Sequence, residues 1–243
     1  MQIVTNHRLI KRNARLGNIF NLVGLALMGV SIYLSFRGIS GAITVAQFNL
    51  FLLAVLVGFI ILQIGTYYGN RWGRSPRPDE LIDRALKGLG REYTIYHYTT
   101  PAYHLLLGPA GLWVLLPYHQ AGRVTYEKKR WILRGGGFLQ TYLRIFGQEG
   151  LGRPDLEARA ETTSVRRFLA RNLSEETSLP DVHALMVFLN PKVELRLDEA
   201  PLPAVQASRL KDFLRERAKG KPIAPEALEA IRNILPQPEA ERR

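Results

Sequence analysis

The chain contains no cysteine. That excludes thiolate nucleophiles, zinc–thiolate sites, iron–sulfur clusters and disulfide frameworks, so any chemistry here rests on oxygen and imidazole groups. The groups to weigh are Glu80, His104, His119 and Glu127. Carboxylates and imidazoles brought close together can hold one or two Mg²⁺ ions, which activate a water and stabilise a departing phosphate oxygen. His119 and Glu127 flank one end of an expected sheet, and Asp155 and Glu157 open the helix expected next. The competing reading is that all of these are surface polar residues, because five histidines and 21 acids in 243 residues generate near-clusters by chance. Other chemistries have less footing. No serine sits in a G-x-S-x-G context, and Gly135-Gly136-Gly137 lacks the lysine and hydroxyl of a phosphate loop, so it reads as a turn.

The elements that would position these groups begin at Asp79, which can cap a helix carrying Leu81, Ile82, Ala85, Leu86 and Leu89 at helical spacing and ending at Gly90. Strands are expected at 93–98, 104–107 and 112–116, the last two joined by the turn Gly108-Pro109-Ala110-Gly111. A second hairpin is expected from 123–126 and 131–133, then a short amphipathic helix over 138–146 and a longer helix over 154–173. A buried strand at 184–189, an edge strand through Val193, Leu195 and Leu197, and an amphipathic helix over 204–218 follow. The segment 225–235 begins with a proline suited to a first helical turn and reads as an add-on. Helix, several strands, helix, two strands and helix together predict an α/β sandwich with a mixed sheet.

Charge separates this domain from what precedes it. The whole chain carries +12, an excess that invites nucleic acid or an anionic membrane. Residues 1–78 hold eight basic side chains and no acid, which leaves 79–243 with 25 basic and 21 acidic residues, a net of only +4. Within that first third, residues 16–36 are 21 in a row without a charge, about 31 Å of helix at ~1.5 Å per residue. A second uncharged run covers 38–70 and closes on Tyr67, Tyr68 and Trp72, suited to an interfacial aromatic belt. Two membrane-spanning helices, about 16–36 and 44–68, are therefore expected, with a stiff linker at 73–78 containing Pro76 and Pro78. A cleaved signal peptide is the rival reading of the first run, but its apolar stretch is too long and a second follows at once.

Basic flanks set the expected orientation. Arg8, Lys11, Arg12 and Arg15 precede the first span, Arg37 lies in the connection, and Arg71, Arg74 and Arg77 follow the second. Both ends then face the cytoplasm, and residues 79–243 form a cytoplasmic domain. No ionisable residue lies within either span, which argues against an ion or proton pathway. Gly65 and Gly69 form a small-xxx-small pair that glycine frequency alone accounts for. Basic and aromatic residues alternate in 126–131, where they suit a solvated hairpin loop, nucleic acid or anionic lipid headgroups.

Asp79-Glu80 opening a helix, the run His104-Leu105-Leu106-Leu107-Gly108-Pro109-Ala110-Gly111-Leu112-Trp113-Val114-Leu115, then Gly122-Arg123-Val124 and Trp131 resemble the nuclease-related domain (NERD) family. The resemblance covers roughly 79–216 and implies a restriction-endonuclease-like, PD-(D/E)xK mixed sheet flanked by helices. It also implies an Asp before the histidine of the first hairpin strand and a Glu-x-Lys after the second strand, holding Mg²⁺. At those places this chain has Tyr103, Leu116 and Tyr118, and only Glu80 matches a family acidic position. The expectation is a two-helix transmembrane hairpin plus an α/β domain over 79–216 with a C-terminal helical extension over 217–243. Such a protein would be a pseudoenzyme at the inner membrane that needs no cofactor and binds or scaffolds a protein or nucleic-acid partner. The alternative is a Mg²⁺-dependent nuclease with ligands relocated to Glu80, His104, His119 and Glu127. Oligomeric state and partner identity are not written in the sequence.

Overall fold

The computed structural model describes residues 1–39, 41, 44–135, 150–173, 180–220 and 222–237. The helix expected over 138–146 lies outside the described residues. The chain forms two compact units, residues 7–77 and residues 1–6 with 78–243.

The first unit is a helical hairpin. Helix α1 (His7–Ile39) and helix α2 (Val45–Tyr68) are long and apolar enough to cross a membrane. Leu22, Leu25, Phe48 and Leu52 are each more than half exposed, an apolar surface that water does not tolerate at this extent. Thr44 caps α2 by accepting from the Gln47 amide, and Gln47 returns the bond to the Thr44 backbone. Ser31, Ser35 and Thr66 donate to carbonyls one turn back, at 2.7–2.9 Å, so these hydroxyls make no demand on a lipid environment.

The two helices touch through glycines spaced seven apart. A methyl group on Gly24 would meet the Leu62 amide nitrogen at 2.8 Å and the Gly58 carbonyl at 2.9 Å, and one on Gly58 would meet Met28 Cγ at 2.7 Å. A methyl group on Gly65 would strike Asn21, whereas one on Gly69 would have no atom nearer than 3.8 Å. The close-packing spacing is thus Gly58 with Gly65, not the Gly65–Gly69 pair visible in the sequence. Aromatic residues gather where α2 ends in a π turn (Gly69–Gly73), with Tyr68 and Trp72 ring centroids 5.1 Å apart. Arg71 donates to the Tyr67 hydroxyl at 2.8 Å and lies over the Tyr67 ring.

The second unit is an α/β domain built on a mixed six-stranded sheet. Its strands are β1 (Gln2–Thr5), β2 (Thr94–His97), β3 (His104–Gly108), β4 (Gly111–Tyr118), β7 (Val182–Phe188) and β9 (Ala204–Gln206), in that spatial order. β5 (Gly122–Glu127), β6 (Arg130–Arg134) and β8 (Val193–Arg196) form a separate three-stranded sheet. The hairpin β3–β4 sits at the centre of the large sheet. Gly111 takes φ +101, which the two-residue turn requires and other residues rarely adopt, and Trp113 Nε1 donates to the Ala110 carbonyl at 2.8 Å to pin the turn.

Alternation along the central strands supplies two cores. Leu106, Trp113, Leu115, Leu185 and Val187 face helix α3 (Pro78–Leu86) and helix α5 (Leu210–Gly220) through Ile82, Leu86, Leu210 and Leu214. Leu105, Leu107, Leu112, Val114, Leu116 and Phe188 face helix α4 (Pro154–Asn172), helix α6 (Pro225–Ile234) and the small sheet.

Residues 2–5 add a strand that the sequence reading did not anticipate: Ile3-Val4-Thr5 is a β-branched run that pairs in parallel with Ile95, Tyr96 and His97. Two expectations need correction. Residues 204–218 are not one helix, because Ala204–Gln206 pairs with Met186–Phe188 and a 3₁₀ turn precedes Leu210. The segment 225–235 is no add-on, since Ile231 and Leu235 are buried in the α4-side core.

Two outcomes follow from this packing. Gly24→Val forces side-chain atoms into α2 backbone and should destabilise the hairpin by about 1–3 kcal/mol, whereas Gly29→Val, with no atom within 4 Å, should be neutral. Detergent-denaturation curves of the full chain in micelles, followed by circular dichroism, compare the two. In the small sheet, hydrogen bonds from Arg123 (2.9 Å) and then Arg196 (2.6 Å) hold the Glu194 carboxyl below its ordinary value. A depressed folded value means that this contribution is present above the ordinary carboxylate range and lost as pH falls through the folded value. NMR titration of Glu194 should show the depression, and Arg123→Gln should move the midpoint upward.

Candidate functional site

Of the residues weighed for chemistry, His104 takes part in a buried polar contact with side chains that the sequence did not single out. In the β2–β3 register His104 lies opposite His97, and the two share a face with Leu106 and Ile95, which face α3. The Tyr98 amide donates to the Tyr103 carbonyl at 2.8 Å, extending the pairing beyond the histidines. On α3, Ile82 and Leu86 are fully buried one turn apart. Asp83, next to Ile82, lies at the margin of that buried stripe with its side chain 26% exposed.

The result is a chain of three groups. Asp83 Oδ1 lies 3.0 Å from His97 Nε2, and His97 Nδ1 lies 2.8 Å from His104 Nδ1. Two nitrogen lone pairs do not face one another at that distance, so one Nδ1 carries the proton. With the His97 Nε2–H donating to Asp83, a neutral His97 accepts from His104 Nδ1–H, while a charged His97 donates in both directions. The Tyr98 ring meets His104 edge-on at 5.0 Å. His97 and His104 are 0% and 1% exposed, so neither can touch a substrate. This arrangement links a partly exposed carboxylate to the core and ties α3 to the central sheet.

The opposite face of the sheet holds the positions at which the family resemblance implies carboxylates and lysine. Leu116 and Tyr118 are buried there, and the Tyr118 ring stacks on Phe188 with centroids 5.4 Å apart. The acids of α4 are each engaged by a donor from the strands. Trp131 Nε1 donates to Asp155 at 2.7 Å, the Tyr118 hydroxyl to Glu157 at 2.9 Å, and the Tyr103 amide to Glu161 at 3.3 Å. Burial raises the phenol of Tyr96, packed in this same core, above its ordinary value.

The four sequence candidates are not brought together. Glu80 lies in the first turn of α3, His104 in β3, His119 just after β4, and Glu127 in the small sheet, paired with Arg134 at 2.9 Å. Among the described residues, no three His, Asp or Glu side chains group in a way that could hold a metal ion. Sequence reasoning missed Asp83 and His97, whose link to His104 appears only once the β2–β3 register is known. Of the basic residues flanking the spans, Arg8, Lys11, Arg12 and Arg15 lie on α1 itself, Arg71 lies in the π turn, and Arg74 and Arg77 precede α3. In comparisons with known proteins, no family model, curated protein or solved structure matches this chain.

His97→Ala removes a core ring and leaves His104 Nδ1 without its partner, which should lower stability by about 2–4 kcal/mol. Asp83→Asn keeps the shape and an acceptor oxygen, so about 1 kcal/mol is expected. Glu127→Gln, in an exposed ion pair, should fall within about 0.5 kcal/mol of the parent. Urea unfolding of the full chain in micelles, read by near-ultraviolet circular dichroism, gives the ranking; equal effects at all three positions would contradict it.

Proposed function

We propose that this protein is a membrane-anchored, nuclease-related domain protein that works by binding or scaffolding at the cytoplasmic membrane face and does not cleave phosphodiesters. Its two spans cross the inner membrane, with both flanking segments in the cytoplasm. Three features support this reading. Around the central hairpin of the large sheet run a helix, three of its strands, a helix and a further strand, with the small sheet inserted after the third strand, in keeping with the helix-flanked mixed sheet that the NERD resemblance implies. Strand β1, before the hairpin, pairs with β2, after it, so residues on both sides of the hairpin share one compartment. The basic flanks are richer than the connection between the spans, which favours the cytoplasm for that compartment.

The observation that carries the functional half is the content of the family's metal positions. Tyr103, Leu116 and Tyr118 supply no carboxylate and no lysine, and Leu116 and Tyr118 are packed as core. Residues of this kind do not fit Mg²⁺, a hard cation that takes oxygen ligands. Glu157, the nearest acid whose contact is defined, already accepts from the Tyr118 hydroxyl.

The full chain, purified in detergent and supplied with Mg²⁺ or Mn²⁺, should leave double-stranded DNA, single-stranded DNA and RNA uncut, and Tyr118→Phe should change nothing. Metal-dependent cleavage abolished by Glu80→Ala would overturn this reading in favour of a nuclease with relocated ligands.

A further inference from the structure

Arg8, Lys11, Arg12 and Arg15 recur at i, i+3, i+4 and i+7 of α1, which places them on one face across two turns. All four side chains are exposed, while Ile10 and Asn13, on the opposite face, are buried. With Leu16 the four basic residues line a groove of about 360 Å³. Among the described residues, no ion pair balances them. The first turn of α1 carries no acid, residues 1–78 contain none, and among the described residues none of the four forms an ion pair. Like charges three and four residues apart on a helix repel, and positive charge near a helix N-terminus opposes the helix dipole. Four cations at the positive end of one helix are therefore self-repelling until an anion joins them.

The location of the stripe selects the anion. It ends where the uncharged run 16–36 begins, the depth at which a span meets phospholipid headgroups. Three of the four residues are arginines, whose planar forks bind phosphate oxygens in pairs. We propose that this face of α1 is a binding site for the phosphodiester headgroup of an anionic phospholipid. The site rests on the membrane reading above and adds to it a lipid preference with a defined address. Anionic lipid then stabilises the start of α1 as well as surrounding the hairpin.

The test uses the full chain reconstituted in bilayer discs of phosphatidylcholine with a minority of phosphatidylglycerol, then extracted for native mass spectrometry. Retained lipid should be enriched roughly tenfold in phosphatidylglycerol over the bulk ratio. The variant R8Q/K11Q/R12Q/R15Q should lose that enrichment, and K128Q/K129Q/R130Q, with a similar charge change in the α/β domain, should keep it. Because loss of all four charges could alter insertion, R8K/R12K/R15K preserves charge and topology while removing the forks, and should retain only part of the enrichment. Inorganic phosphate should not displace the lipid. Enrichment unchanged in both stripe variants, or complete displacement by phosphate, would overturn the site. Alkaline carbonate washing of the source membranes separates this failure from that of the anchor: release of the chain would defeat the membrane reading, whereas retention without lipid preference would defeat only the site.

Discussion

The pairing of β1 with β2 is the constraint on which the architecture depends. Four residues at the start of the chain occupy an edge of the large sheet, and the chain then leaves through α1 and returns through α2 before α3 begins. A sheet does not form across a bilayer, so if α1 and α2 cross a membrane, both ends of the hairpin stay on one side and the number of crossings between them is even. Two apolar helices satisfy this condition and one would not. The strand is short, yet its residues are β-branched, and its backbone bonds to Tyr93 and His97 anchor both of its ends. It therefore extends the large sheet by one edge strand drawn from the chain before the hairpin.

Within the domain, the two faces of the central hairpin have gone different ways. The α3 face keeps a polar chain, Asp83 to His97 to His104, closed to solvent at its inner end. The α4 face has hydrophobic and aromatic groups at the places that the resemblance associates with metal binding, and aromatic or backbone donors take up the neighbouring acids. Polar groups buried in this manner are stable because each finds a partner.

Much of this was legible from residue types. The absence of acids before Asp79 and the two uncharged runs mark the helices, and apolar runs on either side of the Gly-Pro-Ala-Gly turn mark the central hairpin. What stayed hidden depended on distance along the chain. Strand β1 looks like any short tail until Thr94–His97 is known to lie beside it, and β9 hides at the head of a helical pattern because Val205 and Leu210 fit one amphipathic stripe. The glycine contact was hidden for a similar reason, because the partner atoms of Gly58 and Gly65 lie on α1. Asp83 and His97 carry no motif, and only the register of two strands and the face of α3 make them neighbours of His104.

The most direct test of the account is the sidedness of the chain, and the absence of native cysteine makes it simple, since any introduced thiol is the sole site of labelling. Cysteines placed singly at Gly41, between the spans, and at Lys128, in the α/β domain, are exposed to a membrane-impermeant thiol reagent applied to intact cells and to broken membranes. The account requires the residue at 41 to label in intact cells and the residue at 128 to label only after the membranes are opened. Labelling at 128 in intact cells, or protection of 41 there with labelling only on disruption, would contradict a hairpin whose two flanks both lie in the cytoplasm.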